Sequence, residues 1–157
     1  MTPSHASYGD NPAQNKAVGD FVSNLCFGRP GVMDSYCSMG VVHGGKLVAG
    51  TLFHNWHPEC GVIEMTSASV DRRWLSRSVI QSMFTMAFNT IGAQLVTLRV
   101  SENNADMIAI AKRFGFDGVL IPRLRGRNEA EWIFTLTDDA WLNSRFCRTD
   151  NKAEEHG

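Results

Sequence analysis

The spacing of apolar residues changes period several times along the chain. Within residues 12–27, Ala17, Val18, Phe21, Val22 and Leu25 recur three and four apart, which predicts a helix with one buried face. Asn11 is a good N-cap, and Pro12 falls in the first turn, where a missing N–H costs nothing. Gly28 and the Pro30-Gly31 pair predict its end. The next stretch reads as a hairpin. Residues 37–43 and 46–56 are strand-like runs joined by Gly44-Gly45, a two-residue turn that accepts positive φ. A third strand is expected from Gly61 to about Val70. Helical spacing then returns in Val79, Ile80, Met83, Phe84, Ala87 and Phe88, and Gly92 stops it. Residues 94–100 read as a short buried strand. Asn104 caps a third helix that ends at Gly115, and strands follow over 119–124 and 131–137, around the loop RGRNEA.

The resulting order is helix, hairpin, strand, helix, strand, helix, strand, strand. It predicts an α/β fold, a mixed sheet with helices on both faces. A length of 157 residues fits one domain, with the polar stretches 1–10 and 147–157 expected as flexible ends of a domain over 11–146. A 43% hydrophobic and 20% charged composition is that of a globular chain. The net charge of −1 gives no general reason to bind nucleic acid or an anionic membrane. The first residues lack the basic and apolar regions of a signal peptide, and no apolar run approaches the ~18 residues of a membrane span. A cytoplasmic protein is the expectation. Cys26, Cys37, Cys60 and Cys147 are far apart without CxxC spacing, as expected of unpaired thiols in a reducing compartment.

Three segments could carry chemistry. A strand feeding directly into a helix at VDRRWLSRSVI offers unpaired N–H groups and the positive end of a helix dipole, a setting that binds phosphates. Ser76 and Ser78 are small enough for close approach, and Arg72, Arg73 and Arg77 add charge. A capped helix with solvated arginines explains the same residues. Asn104 and Gly115 are accounted for as N-cap and C-cap. Glu64 is a carboxylate inside an otherwise apolar strand, where partial burial suits a general base; an ion pair with a nearby arginine is the other reading.

Taken together, Ile63-Glu64-Met65, Arg73 to Arg77 (R-W-x-S/T-R), Phe84 to Gly92 (F-x-x-x-F-x-x-x-G) and Asn104 to Phe116 (N-x10-G-F) resemble the GNAT superfamily of N-acetyltransferases. The similarity covers about residues 14–146 and extends to small acetyltransferase-like proteins often encoded by phages and prophages. The resemblance implies a mostly antiparallel twisted sheet with a V-shaped split between two parallel strands. It implies acetyl-CoA as acyl donor, an amine-bearing acceptor and no metal. The pantetheine arm would pair with backbone near Ala68 and Val70. The pyrophosphate would sit on the backbone of Leu75, Ser76, Arg77 and Ser78 with Arg73 alongside, Asn104 would reach the cofactor across the split, and Glu64 would be the catalytic base. Homodimers are common in such folds.

Two departures stand out. The usual phosphate loop, Q/R-x-x-G-x-G/A, is Arg73-x-x-Ser76-x-Ser78 here, and the tyrosine that many members place eight residues into N-x10-G-F is Ala111. The tyrosines present are Tyr8 and Tyr36. A non-catalytic CoA-binding module is therefore a second reading. A third is an interaction protein that binds nucleic acid through Arg123, Arg125 and Arg127 with Trp132, although a solvated turn explains these arginines too. His54, His57 and Cys60 form H-x-x-H-x-x-C, which lacks the fourth ligand of a structural zinc site; the histidines could instead line the acceptor end of a cleft.

Overall fold

The computed structural model describes residues 5–8 and 11–147. A seven-stranded sheet runs in the order β1 (His5–Tyr8), β2 (Tyr36–His43), β3 (Lys46–His57), β4 (Val62–Ser69), β5 (Leu95–Ser101), β7 (Glu131–Thr137), β6 (Asp117–Ile121). Every neighbouring pair is antiparallel except β4 and β5. β1 adds an edge strand that the sequence reading had placed in a flexible end. Residues 1–4, 9–10 and 148–157, which make up the rest of the two expected flexible ends, lie outside the described residues.

Helix α1 (Pro12–Phe27) has the expected caps: Asn11 Oδ1 accepts from the Gln14 N–H at 2.9 Å, and Gly28 closes it at φ 74°. Its buried residues Val18 and Val22 pack with Leu52 on one face of the sheet. Gly50 allows that approach, because a Cβ there would lie 2.8 Å from methyl carbons of both valines. The opposite face carries the larger core. Helix α2 (Arg77–Thr85) runs into a π-helical segment over Met86–Ile91, so one expected helix changes its hydrogen-bonding pattern midway. Phe84 and Phe88 stay buried through that change, and Phe84 meets Phe116 and Trp141. Helix α3 (Ala105–Arg113) and a short α4 (Asp138–Leu142), which periodicity did not reveal, belong to this core through Ala111 and Trp141. Cys147, expected in the loose tail, packs partly against it.

The parallel pairing is short. Val62 to Met65 lie against Leu95 to Leu98, and beyond this point the register stops. Thr66 to Ser69 remain paired to β3, while Arg99 to Ser101 remain paired to β7. The two parallel strands therefore separate at their C-terminal ends. That split positions the site.

Candidate functional site

A cleft of about 1450 Å³ occupies the split and is lined from both faces of the sheet. Met65, Met83, Phe84 and Ala111 approach from the side of the large core, and His54, Glu64 and Arg99 from the side of α1. Glu64 belongs to the last stretch of β4 that still pairs with β5, opposite Thr97. Its side chain is 16% exposed and is held by β3: Asn55 Nδ2 donates to Oε1 at 3.0 Å, and His54 Nε2 lies 3.7 Å from Oε2. His54 Nε2 is itself 2.7 Å from Thr66 Oγ1. Burial pushes the His54 imidazole below its ordinary pKa, and the nearby Glu64 carboxylate opposes that shift.

The wall beyond Glu64 is an ion-pair cluster that motif reading did not find. Glu131 is 2% exposed and accepts from Arg99 Nε and Nη2 at 3.2 and 2.8 Å, and from Arg125 Nη1 at 3.1 Å. Arg125 Nε also lies 3.3 Å from Glu129 Oε2. Arg125, read from sequence as a solvated or nucleic-acid-facing residue, is turned inward against these carboxylates. The signal available in sequence was a charge at the head of the apolar strand EWIFTLT, a weaker form of the signal that marked Glu64. Cys26 lines the cleft as well; burial raises its thiol pKa and Arg125 opposes the shift.

Of the remaining expected residues, Leu75 and Asn104 line the cleft, whereas Ala68, Val70, Arg73, Ser76, Arg77 and Ser78 lie outside its lining. The Val70 N–H donates to Val48 O at 2.9 Å, so that amide is turned toward β3. Strand alternation turns Ala68 the same way and leaves the amides of Ser67 and Ser69 on the open edge, each one residue from those the resemblance implied. The Ser67 carbonyl faces Cys26 Sγ at 4.0 Å, in keeping with this alternation. Ser76 caps α2, its Oγ accepting from the Val79 N–H at 3.3 Å with Ser78 Oγ 3.2 Å away. A helix start of this kind presents N–H groups of its first turn to solvent. Leu75 is half-buried at the cleft, whereas Arg73 is exposed and forked onto Asp71 at 3.1–3.2 Å. Those hydrogen bonds hold the Asp71 carboxyl below its usual range. Arg77 lies 5.8 Å from the Phe146 ring. Asn104 lines the cleft and caps α3, accepting from the Met107 N–H at 3.2 Å, so its side-chain amide nitrogen is the group left for a ligand.

Comparison with solved structures gives the same architecture. The chain superposes on the spermidine/spermine N-acetyltransferase SpeG from Vibrio cholerae, solved with manganese ions, with a TM-score of 0.68 and 10% identity over 90% of this chain and 96% of that one. A dodecameric spermidine N-acetyltransferase from the same organism gives 0.67 at 11% identity, over 89% and 96% of the two chains. A probable acetyltransferase gives 0.59 at 16% identity, over 68% of this chain and 63% of that chain. The fold is GNAT-like. No protein-family model matches the sequence, and no curated protein matches it.

Within the GNAT-like cleft, Ala111 is 1% exposed and stands where the resemblance expects a tyrosine. Tyr36 lines the cleft, but its hydroxyl abuts Gly19 of α1. Among the described residues, no group of three or more His, Cys, Asp or Glu side chains could hold a metal ion. His54 of the H-x-x-H-x-x-C run is buried in the cleft, while His57 and Cys60 are exposed. The four cysteines are unpaired. No helix among the described residues is long and apolar enough to cross a membrane.

Proposed function

We propose that the protein transfers an acetyl group from acetyl-CoA to an amine by direct attack within a ternary complex. The observation that carries this reading is a carboxylate, Glu64, at the point where two parallel strands part, in a cleft that is also lined by Leu75, the residue before the N-cap of α2. Acetyl-CoA would enter with its pyrophosphate on the backbone from Leu75 to Ser78, beside Arg73 and Arg77. Its pantetheine would lie along the open edge of β4, and Asn104 would reach it across the split. Glu64, directly or through a water, would take the proton of the attacking amine. A backbone N–H of β4 would hold the developing oxyanion, a contribution of about 3 kcal/mol where it has been measured by removal of a donor. The thiolate of CoA then departs. Ala111 supplies no proton, and a thiolate whose conjugate acid has a pKa near ~8.5 leaves without one.

The acceptor class in this reading is a primary or secondary amine. The polyamine activity named for structural neighbours makes spermidine the first amine to try. The absence of a tyrosine hydroxyl at Ala111 favours a second reading, a CoA-binding module without turnover. The test is release of CoA thiol from acetyl-CoA with a panel of amines, comparing the parent with Glu64→Gln between about pH 6 and 9. The enzyme reading expects turnover in the parent and a fall of about 10²–10⁴ in the variant. Unchanged turnover in Glu64→Gln would remove the base assignment, and acetyl-CoA binding without turnover would establish the second reading.

A further inference from the structure

β3 is irregular where it faces Glu64. Its register with β4 runs without a break from Ala49 to His54 and resumes at His57, so the chain bulges at the end of the strand. Asn55, within the bulge, has φ 52°, a left-handed backbone that non-glycine residues seldom adopt and that asparagine tolerates better than most. The bulge moves Asn55 out of the in-and-out alternation of β3. Its amide then reaches Glu64 Oε1 at 3.0 Å, while its neighbour His54 approaches Oε2. Bulges commonly re-aim a side chain beside a functional site, and backbone conformations of this kind persist where they serve one.

We propose that Asn55 is the positioning residue of the site: its amide fixes the Glu64 carboxylate in the orientation that receives the amine proton. The inference rests on Glu64 being the base. The geometry assigns the two carboxylate oxygens different surroundings. Oε1 is occupied by the Asn55 donor. Oε2 faces the His54 and Thr66 side and carries the longer, 3.7 Å approach. The groups packed around the carboxylate are Asn55 and His54 from β3, Thr66 from β4, and Arg99 from β5, whose guanidinium is close enough to feel the charge of Glu64. Asn55 is exposed, so its amide can be removed without emptying the core.

Two substitutions separate this role from a structural one. Asn55→Gly keeps the left-handed backbone, which glycine adopts without strain, and deletes the donor. Asn55→Asp keeps the shape and replaces the donor with a like charge. The first readout needs no acceptor. In protein carrying ¹³C-labelled glutamate carboxyls, the Glu64 resonance is identified by its loss in Glu64→Gln. It is expected to move in both Asn55 variants, with the thermal midpoint of Asn55→Gly at or above that of the parent. The second readout is acetyl transfer to spermidine or to whichever amine the panel identifies. Here kcat is expected to fall roughly tenfold in Asn55→Gly and further in Asn55→Asp, with KM for acetyl-CoA within about twofold. In a Glu64→Gln background, Asn55→Gly is expected to add no further loss. A Glu64 resonance that stays in place in both variants, or a full additional loss in the double variant, overturns the proposal. A resonance that moves while Glu64→Gln retains turnover overturns the base assignment and leaves the clamp standing.

Discussion

Two polar side chains of the cleft, His54 and Glu131, are buried, and their burial sets measurable behaviour. His54 is 6% exposed, and burial depresses its pKa relative to the unfolded chain. A depressed folded-state value means that the unfolded state binds the proton more readily. His54 therefore contributes stability above its unfolded pKa of about 6.5, and that contribution is lost as pH falls through the lower folded-state value. Thermal midpoints measured from about pH 7.5 down to 5 are expected to fall in that window more steeply for the parent than for His54→Gln, which cannot titrate. Glu131 makes a second test. It is buried between Arg99 and Arg125, whose side chains are 48% and 36% exposed, so the carboxylate is the group that cannot regain water. Arg99→Met, which leaves it one guanidinium, is expected to cost about 1–3 kcal/mol in denaturant unfolding. Adding Arg125→Met strands the charge and is expected to cost more than the sum of the two single changes.

At the scale of elements, the approach of α1 to the sheet depends on small residues. Gly50 of β3 lies under Val18 and Val22, and Gly19 of α1 gives room to the Tyr36 hydroxyl. Gly50→Ala would force both valines off the strand, and overpacking of this kind costs about 1–3 kcal/mol. Because α1 contributes Cys26 and Phe27 to the cleft, the same change should also weaken ligand binding there, and an acetyl-CoA titration of the purified variant would measure that. The caps of α1 and α3 and the Gly44-Gly45 turn were legible from single residues, because each depends on a local backbone geometry that few side chains support. The π-helical segment was not. Its residues keep an apolar helical pattern, and the change of hydrogen bonding satisfies packing against the sheet, which periodicity does not report. β1 was missed because four residues, HASY, are too short a run to write a readable alternation.

At the scale of the whole molecule, the cleft lies between halves of one sheet, so a ligand bound there bridges them. If acetyl-CoA occupies it as proposed, saturation at about 100 times its Kd should add about 2.7 kcal/mol of stability. The check is the thermal midpoint against acetyl-CoA, with dephospho-CoA and ATP as controls. Amide exchange would localise the effect, with slowing expected at the start of α2 and along Ser67 to Ser69. No shift up to millimolar acetyl-CoA would count against the phosphate role of the serine-containing turn and turn attention to other ligands for the cleft.

The sequence by itself determined the order of the main elements and their caps and turns. Glu64 could be singled out because a charge in an apolar strand is conspicuous, and the α2 start because strand, turn and helix follow directly in the chain. Those are local properties, encoded within about ten residues of one another. Only the tertiary structure decided where β4 and β5 part and which amides of β4 stay open. It also decided that Asn55 and His54 meet Glu64, and that Arg125 turns inward to a carboxylate. Each of these depends on register between strands distant in sequence, and a shift of one residue would reverse the face that every side chain takes.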